Sequence, residues 1–107
     1  MDLNLDAVTV IHNEKLHRFE ATVDGLTSVI TYVRSPETIV YNHTEVPQQL
    51  EGQGLAGKLT QVALDFARSN QLCVVPQCPY VAHYLRKHPE YQDLLSPDDL
   101  QRLLSQK

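Results

Sequence analysis

Positive charge is scarce in this sequence. Nine Lys and Arg stand against thirteen Asp and Glu, a formal net charge of −4 at pH 7, which argues against the broad basic surface that tracks a nucleic-acid backbone. Any anion has to be bound locally. Long apolar runs are also lacking, since no stretch approaches the roughly 20 residues of a membrane span. The opening Met1-Asp2-Leu3-Asn4 has neither the basic nor the apolar segment of a secretory signal. A cytoplasmic protein is expected, with no nucleic-acid or membrane partner. Only two cysteines occur, Cys73 and Cys78. Both are expected on one strand, an odd number of positions apart, so their side chains would face opposite ways and a disulfide is not expected. Their C-x4-C spacing has no second ligand pair, and the five His residues match no zinc pattern, so no metal site is expected.

What is present is enough for one domain. A chain of 107 residues with 42% apolar content has the size of a single compact unit spanning residues 1–107. Val8–His12 and Arg18–Val23 read as strands, the second alternating Phe19, Ala21 and Val23 with polar neighbours. Asp24-Gly25 is a hairpin turn into Thr27–Arg34, and Ser35-Pro36-Glu37 separates that strand from Thr38–Val46. Four strands joined by short turns predict an antiparallel meander. Beyond Pro47 the period changes: Leu55, Leu59, Val62, Ala63, Phe66 and Ala67 recur at helical spacing over about residues 54–69. Leu72–Val75 is a wholly apolar run suited to a strand in the sheet interior, and a crossover through the helix sets it parallel to the fourth strand. Pro79 opens a second helix, Tyr80–Lys87, which Pro89 stops, and Ser96-Pro97-Asp98-Asp99 caps a short amphipathic C-terminal helix. The predicted class is mixed α/β (α+β).

Gly52-Gln53-Gly54-Leu55-Ala56-Gly57-Lys58 follows a strand and opens the long helix, where unpaired N–H groups and the helix dipole favour an anion. Two familiar readings fail. The run formally matches G-x-G-x-x-G, but Pro47–Glu51 separate it from the preceding strand, and the next strand ends in Val75-Pro76-Gln77 without an acidic residue. It nearly matches G-x-x-x-x-G-K-[ST], but Leu59 stands where a hydroxyl must reach magnesium.

The order of elements and four segments resemble the GNAT acetyltransferase superfamily, in particular its short single-domain branch. The segments are His43-Thr44-Glu45-Val46-Pro47, Glu51–Gly57, Val74–Val81 and Leu85–Tyr91. That superfamily's loop pattern, Arg or Gln, two residues, Gly, one residue, Gly or Ala, maps onto Glu51, Gly54 and Ala56. Glu51 departs from it, and its carboxylate is expected to turn outward and leave only backbone to the anion. The resemblance implies coenzyme A, delivered as acetyl-CoA, in a gap where the fourth and fifth strands splay. Val46 and neighbouring backbone would bind the pantetheine, and the amides of Glu51, Gly52, Gln53, Gly54, Leu55, Ala56 and Gly57 would bind the pyrophosphate. Lys58 either adds a charge there or is a solvated helix residue.

Acetyl transfer to an amine needs a positioned thioester and a group that moves a proton. Cys78, ending the fifth strand, is a candidate to accept an acetyl group or protonate the departing thiolate, its plain alternative being a small apolar filler. His43 and Glu45 share a strand face and are candidates for a base, or else hydrogen-bond the adjacent loop. Tyr80 and Tyr84 project from the second helix toward the cofactor or into the core, core packing being favoured for Tyr84. Arg86, Lys87 and His88 either attract a phosphate or match the helix dipole. The expected function is an acetyl-CoA-dependent N-acyltransferase with an unidentified amine acceptor, small molecule or protein, acting as a monomer or homodimer. The alternative is a coenzyme A or acyl-CoA binding module without turnover. The resemblance also implies that the helices which cover the acceptor in longer members are missing, so the acceptor pocket is expected to be open.

Overall fold

The computed structural model describes residues 4–105. Met1–Leu3, part of the segment read above for a targeting signal, lie outside the described residues. Five strands form one sheet in the order β1-β2-β3-β4-β5: β1 Ile11–Asn13, β2 Arg18–Val23, β3 Leu26–Arg34, β4 Thr38–Glu45 and β5 Cys73–Pro76. The first four pair antiparallel and β5 runs parallel to β4, as the pattern predicts. Helices α1 Leu55–Ser69, α2 Pro79–Lys87 and α3 Pro97–Ser105 complete the mixed α/β fold, with short 3-10 turns at Leu5–Ala7, Gln48–Leu50 and Pro89–Leu94. Among the described residues no helix is long and apolar enough to cross a membrane.

Each element has a local cause. Asp24 and Gly25 both take positive φ, 52° and 78°, the conformation of a two-residue turn whose twist matches a hairpin. One sheet face carries Phe19, Ala21, Ile30, Tyr32, Ile39, Tyr41 and Val74, all buried, against Leu55, Leu59, Ala63, Leu64 and Ala67 of α1. At about 25 cal/mol per Å² of apolar area, each of these large side chains contributes on the order of 2 kcal/mol. The buried Tyr41 phenol donates to the Ala63 carbonyl at 2.5 Å, fixing where along the sheet α1 lies. The helix ends at Asn70, whose side-chain amide donates to the Phe66 carbonyl at 2.8 Å, and Leu72 N–H returns to the Ala67 carbonyl at 2.9 Å. Arg68 then ties the Pro89–Leu94 turn to α1 through Asp93 and the Glu90 carbonyl, and Tyr91 donates to Asp65.

Three expectations are corrected and one element goes beyond them. Val8–Val10 lie outside β1, whose pairing begins at Ile11; Val8 and Val10 pack against the core without joining the ladder. β5 is an edge strand, not an interior one. Only Val74 of its four residues is fully buried, because this strand pairs with β4 alone. Cys78 stands beyond the end of β5, at the N-cap of α2, because Pro76 closes the strand and Gln77 turns back with its N–H on the Val75 carbonyl. The Pro89–Leu94 turn was not foreseen at all, being short and lacking periodicity.

Candidate functional site

The sheet forks between β4 and β5. Their pairing covers Thr38 with Cys73 through Tyr41 with Pro76, and the Cys78 N–H closes it on the Tyr41 carbonyl at 2.9 Å. Beyond that bond, Asn42–Glu45 continue along β3 alone. A β-bulge marks the place: Thr31 pairs with His43 and Tyr32 with Tyr41, leaving Asn42 as the extra residue. Thr31 pins it by donating to the Asn42 side-chain oxygen at 2.6 Å. The extra residue shifts the alternation, so Thr44, opposite buried Ile30, faces the same side as Tyr41, whereas His43 and Glu45 face the other.

A cleft of about 490 Å³ occupies the fork. Thr44 and Val46 form its β4 wall. The loop contributes Leu50, Glu51, Gly52 and Gly54, α1 contributes Leu55 and Ala56, and Tyr80 of α2 completes it. The loop's backbone defines its chemistry. Leu50 and Glu51 N–H groups are satisfied by the Pro47 and Gln48 carbonyls, and intrahelical bonding starts with Lys58 N–H on the Gly54 carbonyl at 3.0 Å. Between them, the N–H groups of residues 52–57 have no hydrogen-bond acceptor among the described residues. Glu51 has φ −63°, Gly52 +79° and Gly54 +83°. Glu51 is extended, and positive φ at Gly52 and Gly54 leads the chain into the positive end of a 15-residue helix, where unpaired N–H groups can hold an anion.

The structure brings Val46, Glu51, Gly52, Gly54, Leu55, Ala56 and Tyr80 to the cleft. Gly57 lies behind it, where an added Cβ would meet the Tyr80 hydroxyl at 3.7 Å and Tyr84 at 3.8 Å. Burial raises the Tyr80 phenol above its usual pKa, so it stays protonated at neutral pH. Gln53 and Lys58 are half-buried and do not border the cleft; the Gln53 side-chain Nε2 donates to the Gln49 carbonyl at 3.5 Å. Cys78 is 4% exposed and its thiol donates to the Thr44 hydroxyl at 3.3 Å. His43 and Glu45 approach to 3.7 Å, both well exposed and on the sheet face away from Tyr41. Glu51 is exposed at the rim.

Tyr84 stacks on His88 at 3.8 Å and accompanies the core. Arg86 donates from Nε to the Leu103 carbonyl at 3.1 Å, joining α2 to α3. Among the described residues no group of His, Cys, Asp and Glu is placed to hold a metal ion. Sequence reasoning missed Thr44 and Leu50 as lining residues. Leu50 had a signal, a lone apolar side chain in the polar run Gln48-Gln49-Leu50-Glu51; Thr44 had none, because the bulge that reorients it leaves no mark in the residue types.

The chain is similar in sequence and fold to known proteins. A family profile described as GCN5-related N-acetyl-transferase matches residues 18–94. Protein NATD1 of Gallus gallus is 32% identical over 95 residues, covering 84% of this chain and 86% of its own length. Protein NATD1 of Homo sapiens is 30% identical over 95 residues, covering 84% of each chain. A GCN5-like protein from Staphylococcus aureus, solved by NMR, superposes with a TM-score of 0.63 at 32% identity, over 82% of this chain and 87% of that one.

Proposed function

The chain belongs to the GCN5-related N-acetyltransferase family, and on that basis we propose that it is a one-domain, acetyl-CoA-dependent N-acyltransferase whose cofactor occupies the fork. The observation that carries this reading is the run of unpaired amides at residues 52–57 beside the cleft. The first N–H groups of a helix have no intrahelical partner and point together with the positive end of its dipole, and a diphosphate supplies several acceptors for them. Val46 and the unpaired edge of β4 suit an extended, amide-containing pantetheine arm, which pairs with a strand as another strand would. The acyl group then reaches Thr44 at the closed end of the fork.

The residues support direct attack of a free amine on the thioester carbonyl. The carbon–sulfur bond breaks, the amine loses a proton and the thiolate gains one. Tyr80, protonated and bordering the cleft, is a donor for the thiolate. His43 and Glu45 flank Thr44 on the outer face and would take the proton from an amine entering through that face. An acetyl-Cys78 route is the lesser alternative, because the thiol is buried and already donates to Thr44. One observation favours a second reading, a coenzyme A-binding module without turnover: the candidate base pair lies outside the cleft.

Amide chemical-shift mapping with coenzyme A tests the binding step. Shifts concentrated at residues 52–57 are expected, and none at millimolar ligand would remove the proposal. Thiol release from acetyl-CoA with a panel of amines then separates enzyme from binding module.

A further inference from the structure

Thr44 lies in the β4 wall of the cleft and is bonded to Cys78, which closes the fork, and its hydrogen bonding is lopsided. A threonine hydroxyl has one proton and two lone pairs. One lone pair accepts the Cys78 S–H at 3.3 Å, and in that arrangement the hydroxyl proton makes no hydrogen bond to the described residues. Were that bond reversed, the sulfur would be a weak acceptor, and a carbonyl oxygen in the cleft would displace it from the hydroxyl proton. The half-buried hydroxyl is thus left with a donor, and it borders a cleft. Asn42 makes this so: without the extra residue in β4, Thr44 would turn to the outer face and His43 would point inward.

We propose that Thr44 is a specificity-determining residue that recognises the acyl carbonyl, so that the protein binds acetyl-CoA more tightly than coenzyme A. The inference rests on the coenzyme reading above. A thioester carbonyl is an acceptor matched to the free hydroxyl proton, whereas a free thiol is a poor one. Cys78 holds the hydroxyl's other side and sets its direction. Neither residue needs to change covalently.

Calorimetric titration of the full chain with each ligand separately tests this. The wild-type protein is expected to prefer acetyl-CoA by about three- to tenfold, the range of one neutral hydrogen bond. Thr44→Val keeps the shape and removes the proton; it should lose the preference while its affinity for coenzyme A stays within about twofold. Thr44→Ser should restore it. Equal wild-type affinity for the two ligands, or a Thr44→Val loss shared by both, overturns the role of Thr44 and leaves the coenzyme site standing. Absence of binding to either ligand by the wild-type protein overturns the coenzyme reading itself. Equal wild-type affinities overturn the proposal even if Thr44→Val fails to fold, and a retained preference in a folded Thr44→Ala does so as well.

Discussion

The Leu5 side chain sits under Gly54: a Cβ built on Gly54 would lie 3.0 Å from Leu5 Cδ1. Gly54 therefore answers two demands, positive φ and close approach, whereas Gly52 has positive φ but open space around its Cβ position. Forcing a side chain into the left-handed region costs about 1–3 kcal/mol. Gly54→Ala should lower stability by more than Gly52→Ala, by about 4 °C or more in melting temperature. Adding Leu5→Ala to Gly54→Ala should return part of the loss, since the contact would be relieved and neighbouring substitutions are not additive. Melting curves of the wild type, the three single variants Gly52→Ala, Gly54→Ala and Leu5→Ala, and the Leu5→Ala/Gly54→Ala double variant check this, and strict additivity would show that Leu5 does not set the loop.

Tyr41→Phe isolates the bond that seats α1 on the sheet. The phenol is buried and donates to the Ala63 carbonyl, while that carbonyl, inside a helix, keeps its i+4 partner. No acceptor is orphaned, so the cost should be that of one hydrogen bond, about 1 kcal/mol. Urea unfolding should show a lower midpoint with an unchanged slope. A changed slope would mean that the packing of α1 itself had loosened.

His12 predicts how stability depends on pH. Its ring stacks on Phe19 at 4.3 Å, meets Phe66 edge-on and shares a 2.6 Å hydrogen bond with the Tyr32 hydroxyl. Burial is the main cause lowering its pKa, opposed by Glu14 and aided by Arg34. The folded state thus prefers the neutral imidazole. Its contribution is fully present above the unfolded-state value, about 6.5, and declines as pH falls through it toward the lower folded value. Melting temperature should drop between pH 7.5 and about 5.5, and His12→Gln should be less stable at the upper end with a flatter profile. An unchanged profile in His12→Gln would assign the dependence to other groups.

Much of this architecture is legible in residue order. The hairpin at Asp24-Gly25, the alternation of β2 and the apolar spacing of α1 each follow from a local period or a turn preference. Illegible features are those set by tertiary partners. The bulge at Asn42 breaks period two in β4 because the strand bends as it leaves β5, so counting outward from Tyr41 assigns Thr44 to the wrong face. The edge position of β5 is equally invisible, since four apolar or small residues look the same whether another strand follows or not. His43 and Glu45 both lie past the bulge, and alternation places them together while saying nothing about which face they occupy.

Glu51 offers a test in which removing a charge should strengthen binding. It borders the cleft beside the unpaired amides, in the position where the superfamily pattern carries Arg or Gln. Its exposed carboxylate repels a diphosphate across partly solvated space, where two unit charges about 8 Å apart interact by about 1 kcal/mol at an effective dielectric of about 40. Glu51→Gln should therefore raise coenzyme A affinity by about fivefold at low ionic strength, and the gain should shrink as salt approaches 0.5 M, about the level at which screening acts within the loop's own dimensions. 3′-Dephospho-coenzyme A should show a similar gain, because the diphosphate is common to both ligands. If Glu51→Gln leaves both affinities unchanged at low salt, the diphosphate does not rest on this loop. If the gain persists undiminished at high salt, the side chain acts through loop conformation and not through its charge.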